Sequence, residues 1–416
     1  MNVCIYGLWH LGSVTAACLA AGGHRVVGLD DDAATAARLA NGQAPLFEPG
    51  LDALLREGLD AGRLRFTADV DDAVRDARVV WIAFDTPVDE DDRADVDFVN
   101  ARIDAAATHA APGTLIVVSS QLAVGSIRAA EQRAGRGDIA FAALPENLRL
   151  GKAIEVFTKP DRVVAGVRDA RGREAVAELL APFTDRIEWM SVESAEMTKH
   201  ALNAFLATSI VFMNEIATLC EAVGADAKEV ERGLKSESRI GPRAYLSPGA
   251  AFAGGTLARD VNFLSALAGD RPTLFRAVKA SNDAHKQWTR GKLRALLGDL
   301  RGRTIAVWGL TYKPGTDTLR RSSAVELCRW LVGEQARVRA HDPAVRALPD
   351  DLPIELCATA EDAARGADAV IVATEWPDYR RLEPDGAMTV IDPNRFLRER
   401  FDRPPVRYVT IGKGAA

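Results

Sequence analysis

Cysteine is scarce in this chain: Cys4, Cys18, Cys220, Cys328 and Cys357 are the five among 416 residues. Their number is odd, their spacing is wide, and no CxxC occurs. That argues against a disulfide framework and against a zinc site, and for a reducing compartment, the cytoplasm. No metal is expected. No uninterrupted apolar run approaches the ~20 residues needed to span a bilayer. The start, Met1-Asn2-Val3-Cys4-Ile5-Tyr6-Gly7, lacks the charged opening, long apolar stretch and cleavage site of a secretory signal. No membrane partner is expected. Long basic runs are also missing, and the net charge is −6 with the signs interleaved. Global charge therefore sets nucleic acid aside, while a local basic pocket for phosphate stays open. What the chain does have is 48% apolar and 26% charged residues, enough to bury ordinary cores. Its length implies two or three domains of about 100–200 residues each.

The first ~185 residues alternate short apolar runs with Ala-rich helical stretches. Val3–Tyr6, Arg25–Leu29, Val79–Phe84 and Leu115–Val118 read as strands; Leu11–Ala21 and Ala33–Leu39 read as helices. This is the pattern of a parallel, doubly wound sheet. From Ser194 to about Val223 the chain lacks Gly and Pro and carries apolar residues at helical spacing. It reads as one long helix, or as two with a break near Ser209. Helical character continues to about Leu297, interrupted by a glycine-rich loop from Ser247 to Gly255. The α/β pattern then returns, with strands at Thr304–Trp308, Val338–His341, Ala369–Ala373 and Val390–Asp392 and a crossover helix at Ala324–Val332. Residues Gly412–Ala416 are expected to be loose.

Gly7-Leu8-Trp9-His10-Leu11-Gly12 follows a strand and opens a helix, and Asp30 ends the next strand. A dinucleotide fold needs this context: glycines for the turn and the helix packing, a helix N-terminus for pyrophosphate, an acid for the ribose hydroxyls. Trp9 occupies the place of the second glycine. An acid at Asp30 repels a 2′-phosphate and favours NAD over NADP. Two readings compete: a working NAD site, or a Rossmann-like domain that has lost its cofactor. Likewise Asp30-Asp31-Asp32 is either a ribose site or a solvated loop with one useful member.

Further strings narrow the choice. They include Glu48-Pro49-Gly50, Asp85-Thr86-Pro87, Ser120-Gln121-Leu122-Ala123-Val124-Gly125-Ser126 and Pro145-Glu146-Asn147-Leu148-Arg149-Leu150-Gly151. Later come Glu196-Met197-Thr198-Lys199-His200-Ala201-Leu202-Asn203, Arg239-Ile240-Gly241, the run from Tyr245 to Asp260, and the run from Gly309 to Ser323. Read in order, over essentially the whole chain, they resemble the UDP-glucose/GDP-mannose dehydrogenase family. The resemblance implies two Rossmann-like domains joined by a long central helix, with substrate held in the cleft between them. It implies an NAD-binding domain over 1–190, a helical central and dimerisation domain over 191–295, and a nucleotide-sugar-binding domain over 296–416. NAD is the implied cofactor, a UDP-sugar the favoured substrate, and a homodimer the implied assembly.

Residue by residue, the resemblance assigns Gly7, Trp9, His10, Leu11, Gly12, Asp30, Thr86 and Ser120 to the cofactor. Lys313 and Arg320 reach across the domain gap, Lys313 to the sugar nucleotide and Arg320 to the cofactor side. Leu148, Arg149, Arg239, Tyr245, Gly254 and Arg259 are assigned to substrate, with Arg239 reaching a neighbouring subunit's site. Glu146, Lys199, Asn203, Thr256 and Asp260 fall at the catalytic positions. Lys199 and Asn203 are one helical turn apart and share a face. There a lysine and an amide can hydrogen-bond a reacting alcohol oxygen.

One departure decides the chemistry to expect. In the family a cysteine stands where this chain has Thr256. That thiol adds to the aldehyde of the first oxidation and carries the second oxidation to a thioester. A thiol suits the step because a useful fraction is thiolate near neutral pH. A threonine hydroxyl needs a dedicated base, and no histidine adjoins it. The family's second glutamate in the Pro145–Gly151 string is Leu150 here, and Gln121, Ala123 and Asn147 also depart. The expectation is NAD-dependent oxidation of a nucleotide sugar at the C6 alcohol, stopping at the aldehyde. The alternatives are direct oxidation of the hydrated aldehyde, oxidation at another position or of another nucleotide conjugate, and a silent nucleotide-sugar-binding protein.

Overall fold

The structure is a computed structural model and describes all residues except 88, 90–93, 147, 254, 255, 272, 415 and 416. The chain divides into two compact units, Met1–Ala201 and Leu202–Ala416.

In the first unit, eight strands form one sheet. They are β1 (Asn2–Tyr6), β2 (Arg25–Leu29), β3 (Leu64–Thr67), β4 (Val79–Ile82), β5 (Leu115–Val118), β6 (Ala140–Ala143), β7 (Val163–Val167) and β8 (Ile187–Met190). Their order is β3-β2-β1-β4-β5-β6-β7-β8, and its first six strands follow the dinucleotide-binding order. The central strands read VVWI and LIVV and are buried at every position, because helices cover both faces of a parallel sheet. The sheet is parallel as expected but for one pair: β6 and β7 pair antiparallel, Ala143 opposite Gly166. The helix His10–Ala21 is buried from Leu11 to Ala20. Its small residues (Ala16, Ala17, Ala20) let it lie close to the sheet.

The long helix runs unbroken from Val192 to Val223. Ser191 Oγ accepts from Ser194 N at 3.3 Å and caps its first turn. There is no break at Ser209, whose hydroxyl bonds back to Phe205 O at 2.9 Å and stays inside the helix. An 18-residue window of this helix has a mean hydropathy of 1.4. By length and composition it is long and apolar enough to cross a membrane, which the search for uninterrupted apolar runs overlooked. Part of that apolarity has a packing partner: Ala207 and Val211 cluster with Phe252, Ala258, Val261 and Val278.

The second unit continues with the helices Ala227–Ser236, Thr256–Leu267, Leu274–His285 and Trp288–Leu297. A six-stranded sheet follows: β9 (Thr304–Trp308), β10 (Arg337–His341), β11 (Glu355–Leu356), β12 (Ala369–Val372), β13 (Thr389–Ile391) and β14 (Arg407–Val409). Its order, β11-β10-β9-β12-β13-β14, repeats the 3-2-1-4-5-6 order of the first sheet. The tail is tied down further than expected. Gly412 N donates to Glu221 at 2.9 Å, and Lys413 Nζ lies 2.9 Å from Asp402.

Candidate active site

At the N-terminal fingerprint, Gly7 has φ +96, and a Cβ there would meet the Phe84 ring at 2.7 Å. A Cβ at Gly12 would lie 1.7 Å from Gly7 O, so only glycine lets the helix close on the turn. Trp9 has φ −71. No left-handed conformation is needed there, which is why a tryptophan is tolerated; its side chain is 44% exposed. The three aspartates have separate tasks. Asp30 accepts from Leu8 N at 2.7 Å and from Asp32 N at 3.0 Å. Asp31 accepts from Tyr6 Oη at 2.6 Å and from Arg102 Nε at 2.8 Å. Asp32 caps the helix Ala33–Ala40 through Ala34 N and Thr35 N. The run is therefore not simply a solvated loop.

Two loops follow β5 and β6, and the first turns of the long helix brace both. Glu196 is buried and accepts from Gly125 N at 2.7 Å and Ile127 N at 3.1 Å. Burial raises its carboxyl above the ordinary range, and the two backbone donors partly offset that. His200 Nε2 meets Leu122 O at 2.8 Å. Lys199 Nζ donates to Glu146 O at 2.6 Å. Thr86 Oγ1 donates to Gln121 O at 2.7 Å, joining the two loops assigned to the cofactor. Buried Ser120 Oγ finds no hydrogen-bond partner among the described residues. Leu148 packs on the sheet's core and Arg149 is exposed. A further link comes from Glu48. Its carboxylate accepts from Gly151 N at 2.7 Å and Ala153 N at 2.8 Å, and lies 2.9 Å from His10 Nε2. It thus ties the fingerprint helix to the loop that carries Glu146.

In the second unit, Asn203 Nδ2 donates to the Asp260 carboxylate, with both side chains buried. Thr256 is the first residue of the helix Thr256–Leu267 and is exposed. It lies one turn before Asp260, so the two share a helix face. Arg259 is half-buried. Gly254 lies outside the described residues. Tyr245 is 58% exposed. Arg239 is exposed and bonds Glu237 at 3.1 Å. Lys313 is half-buried and Arg320 exposed in the loop after β9. The structure thus joins Lys199 to the Glu146 loop and Asn203 to Asp260.

Three sequence profiles cover the chain. They describe the NAD-binding, central and UDP-binding domains of UDP-glucose/GDP-mannose dehydrogenases, and they match residues 1–184, 193–284 and 306–399. The chain belongs to the UDP-glucose/GDP-mannose dehydrogenase family. A UDP-glucose 6-dehydrogenase of Pseudomonas aeruginosa is 38% identical over 408 residues, 92% of this chain and 89% of that protein. One from Rhizobium meliloti is 35% identical, covering 99% of this chain and all of the relative. Among solved structures, a UDP-glucose dehydrogenase from Pyrobaculum islandicum aligns with a TM-score of 0.88 and 31% identity, over 100% of this chain and 98% of its own. A UDP-D-ManNAc dehydrogenase from Pyrococcus horikoshii gives 0.87 at 26% identity over the whole of both chains.

This family member is an NAD-dependent nucleotide-sugar dehydrogenase, and its first sheet fits the cofactor. No side chain among the described residues caps the helix His10–Ala21, so its first-turn N–H groups can meet pyrophosphate. The second sheet repeats the turn with Gly309 at φ +92, but there the equivalent site is closed. Asp342 takes bonds from Leu310 N, Thr311 N, Thr311 Oγ1, Trp376 Nε1 and Ala344 N. Ser322 caps the following helix, Ser323–Gly333. Sequence reasoning gave no role to Glu48, Glu196 or His200. All three lie inside strings that resemble the family, so the signal was present; what each side chain holds was not.

Proposed function

We propose that this dehydrogenase oxidises the C6 alcohol of a UDP-linked hexose to the aldehyde and stops there. The observation that carries the reading is Thr256. It stands one turn before Asp260 at an exposed helix start, with a hydroxyl where the chemistry of a second oxidation wants a thiolate. The UDP-sugar class is supported by relatives named for UDP-glucose at up to 38% identity. The three-segment division of the sequence is retained as the functional one.

NAD, when bound, accepts the hydride of the alcohol carbon. The chain's own residues do the rest. The Asn203 amide holds the Asp260 carboxylate, which serves as the base end of a proton path from the alcohol. Lys199, an ammonium with three donors, fixes the Glu146 loop and offers positive charge to the developing alkoxide. Thr86 and Ser120 face the cofactor, and Lys313 and Arg320 receive the charged part of the ligands. No acyl-enzyme forms at Thr256, since among the described residues no base is bonded to its hydroxyl.

A homodimer accompanies this reading. Phe205, Phe212 and Leu219 are 66%, 45% and 62% exposed on the long helix. A spacing of seven drifts only about 20° around a helix, so they form one apolar stripe. A second copy of the chain covers it.

The experiment is a screen of UDP- and GDP-sugars with NAD, followed by mass analysis of the product. An aldehyde or its hydrate from a UDP-hexose is expected. Acid as the sole product, or turnover of GDP-sugars alone, would overturn the proposal.

A further inference from the structure

Beside the fingerprint glycine lies one ion pair to which the NAD reading above gives no task. Arg102, on the helix Val96–His109, places Nε and Nη2 on Asp31 Oδ2 at 2.8 and 2.7 Å. Its guanidinium lies 3.8 Å from the Phe98 ring centroid, and its Nη1 donates to Phe98 O at 3.0 Å. Phe84, 5.8 Å from the same guanidinium, is the ring that a Cβ at Gly7 would strike. Tyr6 Oη holds the other oxygen of Asp31 at 2.6 Å. The pair therefore sits beside the fingerprint glycine and one residue past the acid expected at the ribose.

We propose that Asp31 sets the cofactor preference by occupying Arg102, so that a 2′-phosphate finds no unengaged guanidinium at the ribose. Rossmann domains that take NADP place an arginine near this ribose. This chain has Arg102 beside Asp31, stacked on the Phe98 ring, and a guanidinium is the group that binds phosphate bidentately. Its charge is matched by Asp31, and a dianionic phosphate would have to displace a carboxylate already held by Tyr6. Discrimination then has two parts: Asp30 repels the phosphate directly, and Asp31 withholds the cation that would attract it. The inference rests on the NAD reading and goes beyond it by naming a second acid and its arginine.

The test measures binding of NADH and NADPH to the protein without sugar, by fluorescence titration, so it does not depend on which sugar is oxidised. Asp31→Asn keeps an acceptor for Tyr6 but removes the charge. It is expected to shift the NADPH-to-NADH affinity ratio by about tenfold towards NADPH, the scale of one charge-assisted hydrogen bond. Adding Arg102→Ala should abolish that gain, and raised salt should shrink it. An equal gain in the double variant would overturn the proposal, because loss of negative charge alone would then explain it. So would an unchanged ratio in both Asp31→Asn and Asp31→Ser at wild-type melting temperature. Failure of the wild type to bind NADH would overturn the cofactor reading itself, and this proposal with it.

Discussion

Thr256 is where one side chain, a hydroxyl and a methyl in place of a thiol, changes the chemistry to be expected. A thiol in its place would ionise appreciably near neutral pH; a hydroxyl does not, and no base is bonded to it among the described residues. Asp260 lies one turn along the same helix but is buried on Asn203, and in the proposed reaction it takes the proton of the alcohol. Thr256→Cys is therefore expected to convert an aldehyde-forming enzyme into an acid-forming one, with a covalent sugar adduct that mass spectrometry can trap. A variant that still releases only aldehyde would show that the lost second oxidation has another cause, such as Leu150. At the same scale the aspartate run shows a limit of sequence reading. The position of Asp30 at the end of β2 was legible. The task of Asp31 was not, because its partner Arg102 lies 71 positions away on another element.

Among the elements, the first turns of the long helix organise the most. The helix was legible from its spacing and its lack of Gly and Pro, almost to its boundaries. Strands β3, β6, β7 and β8 were not assigned. β3 is only four residues long, and the alanines of β6 carry little strand signal, so pairing with neighbours makes them strands. Glu196 illustrates what packing adds. Removing its carboxylate leaves Gly125 N and Ile127 N without their partner. Glu196→Ala is expected to cost about 1–3 kcal/mol in urea unfolding, the penalty of an unsatisfied buried donor. Burial raises the folded pKa of this carboxyl. Its contribution is then complete below the unfolded pKa and falls as pH rises through the folded one. The stability gap between wild type and Glu196→Ala should accordingly widen as pH drops from neutrality into the carboxylate range. A gap that narrows would mean that the carboxylate form, held by its two donors, is the favoured one.

For the whole molecule, two sheets share one strand order and one Gly-turn-Asp device, but they differ in what that device leaves open. In the first sheet Asp30 is half-buried and no side chain among the described residues caps the helix start. In the second, Asp342 is enclosed and Ser322 caps the helix. That asymmetry assigns NAD to the first sheet by physical means that agree with the family. The apolar stripe of the long helix gives a separate prediction. Phe212→Glu should shift the protein from dimer to monomer in light scattering, while the circular dichroism of the helices is retained. A wild type that is monomeric at micromolar concentration would remove the basis for that assembly. The central claim is a single oxidation, and counting NADH per UDP-hexose consumed tests it most directly. One NADH per sugar at completion is the result this account predicts; two NADH per sugar, with acid as product, would contradict it.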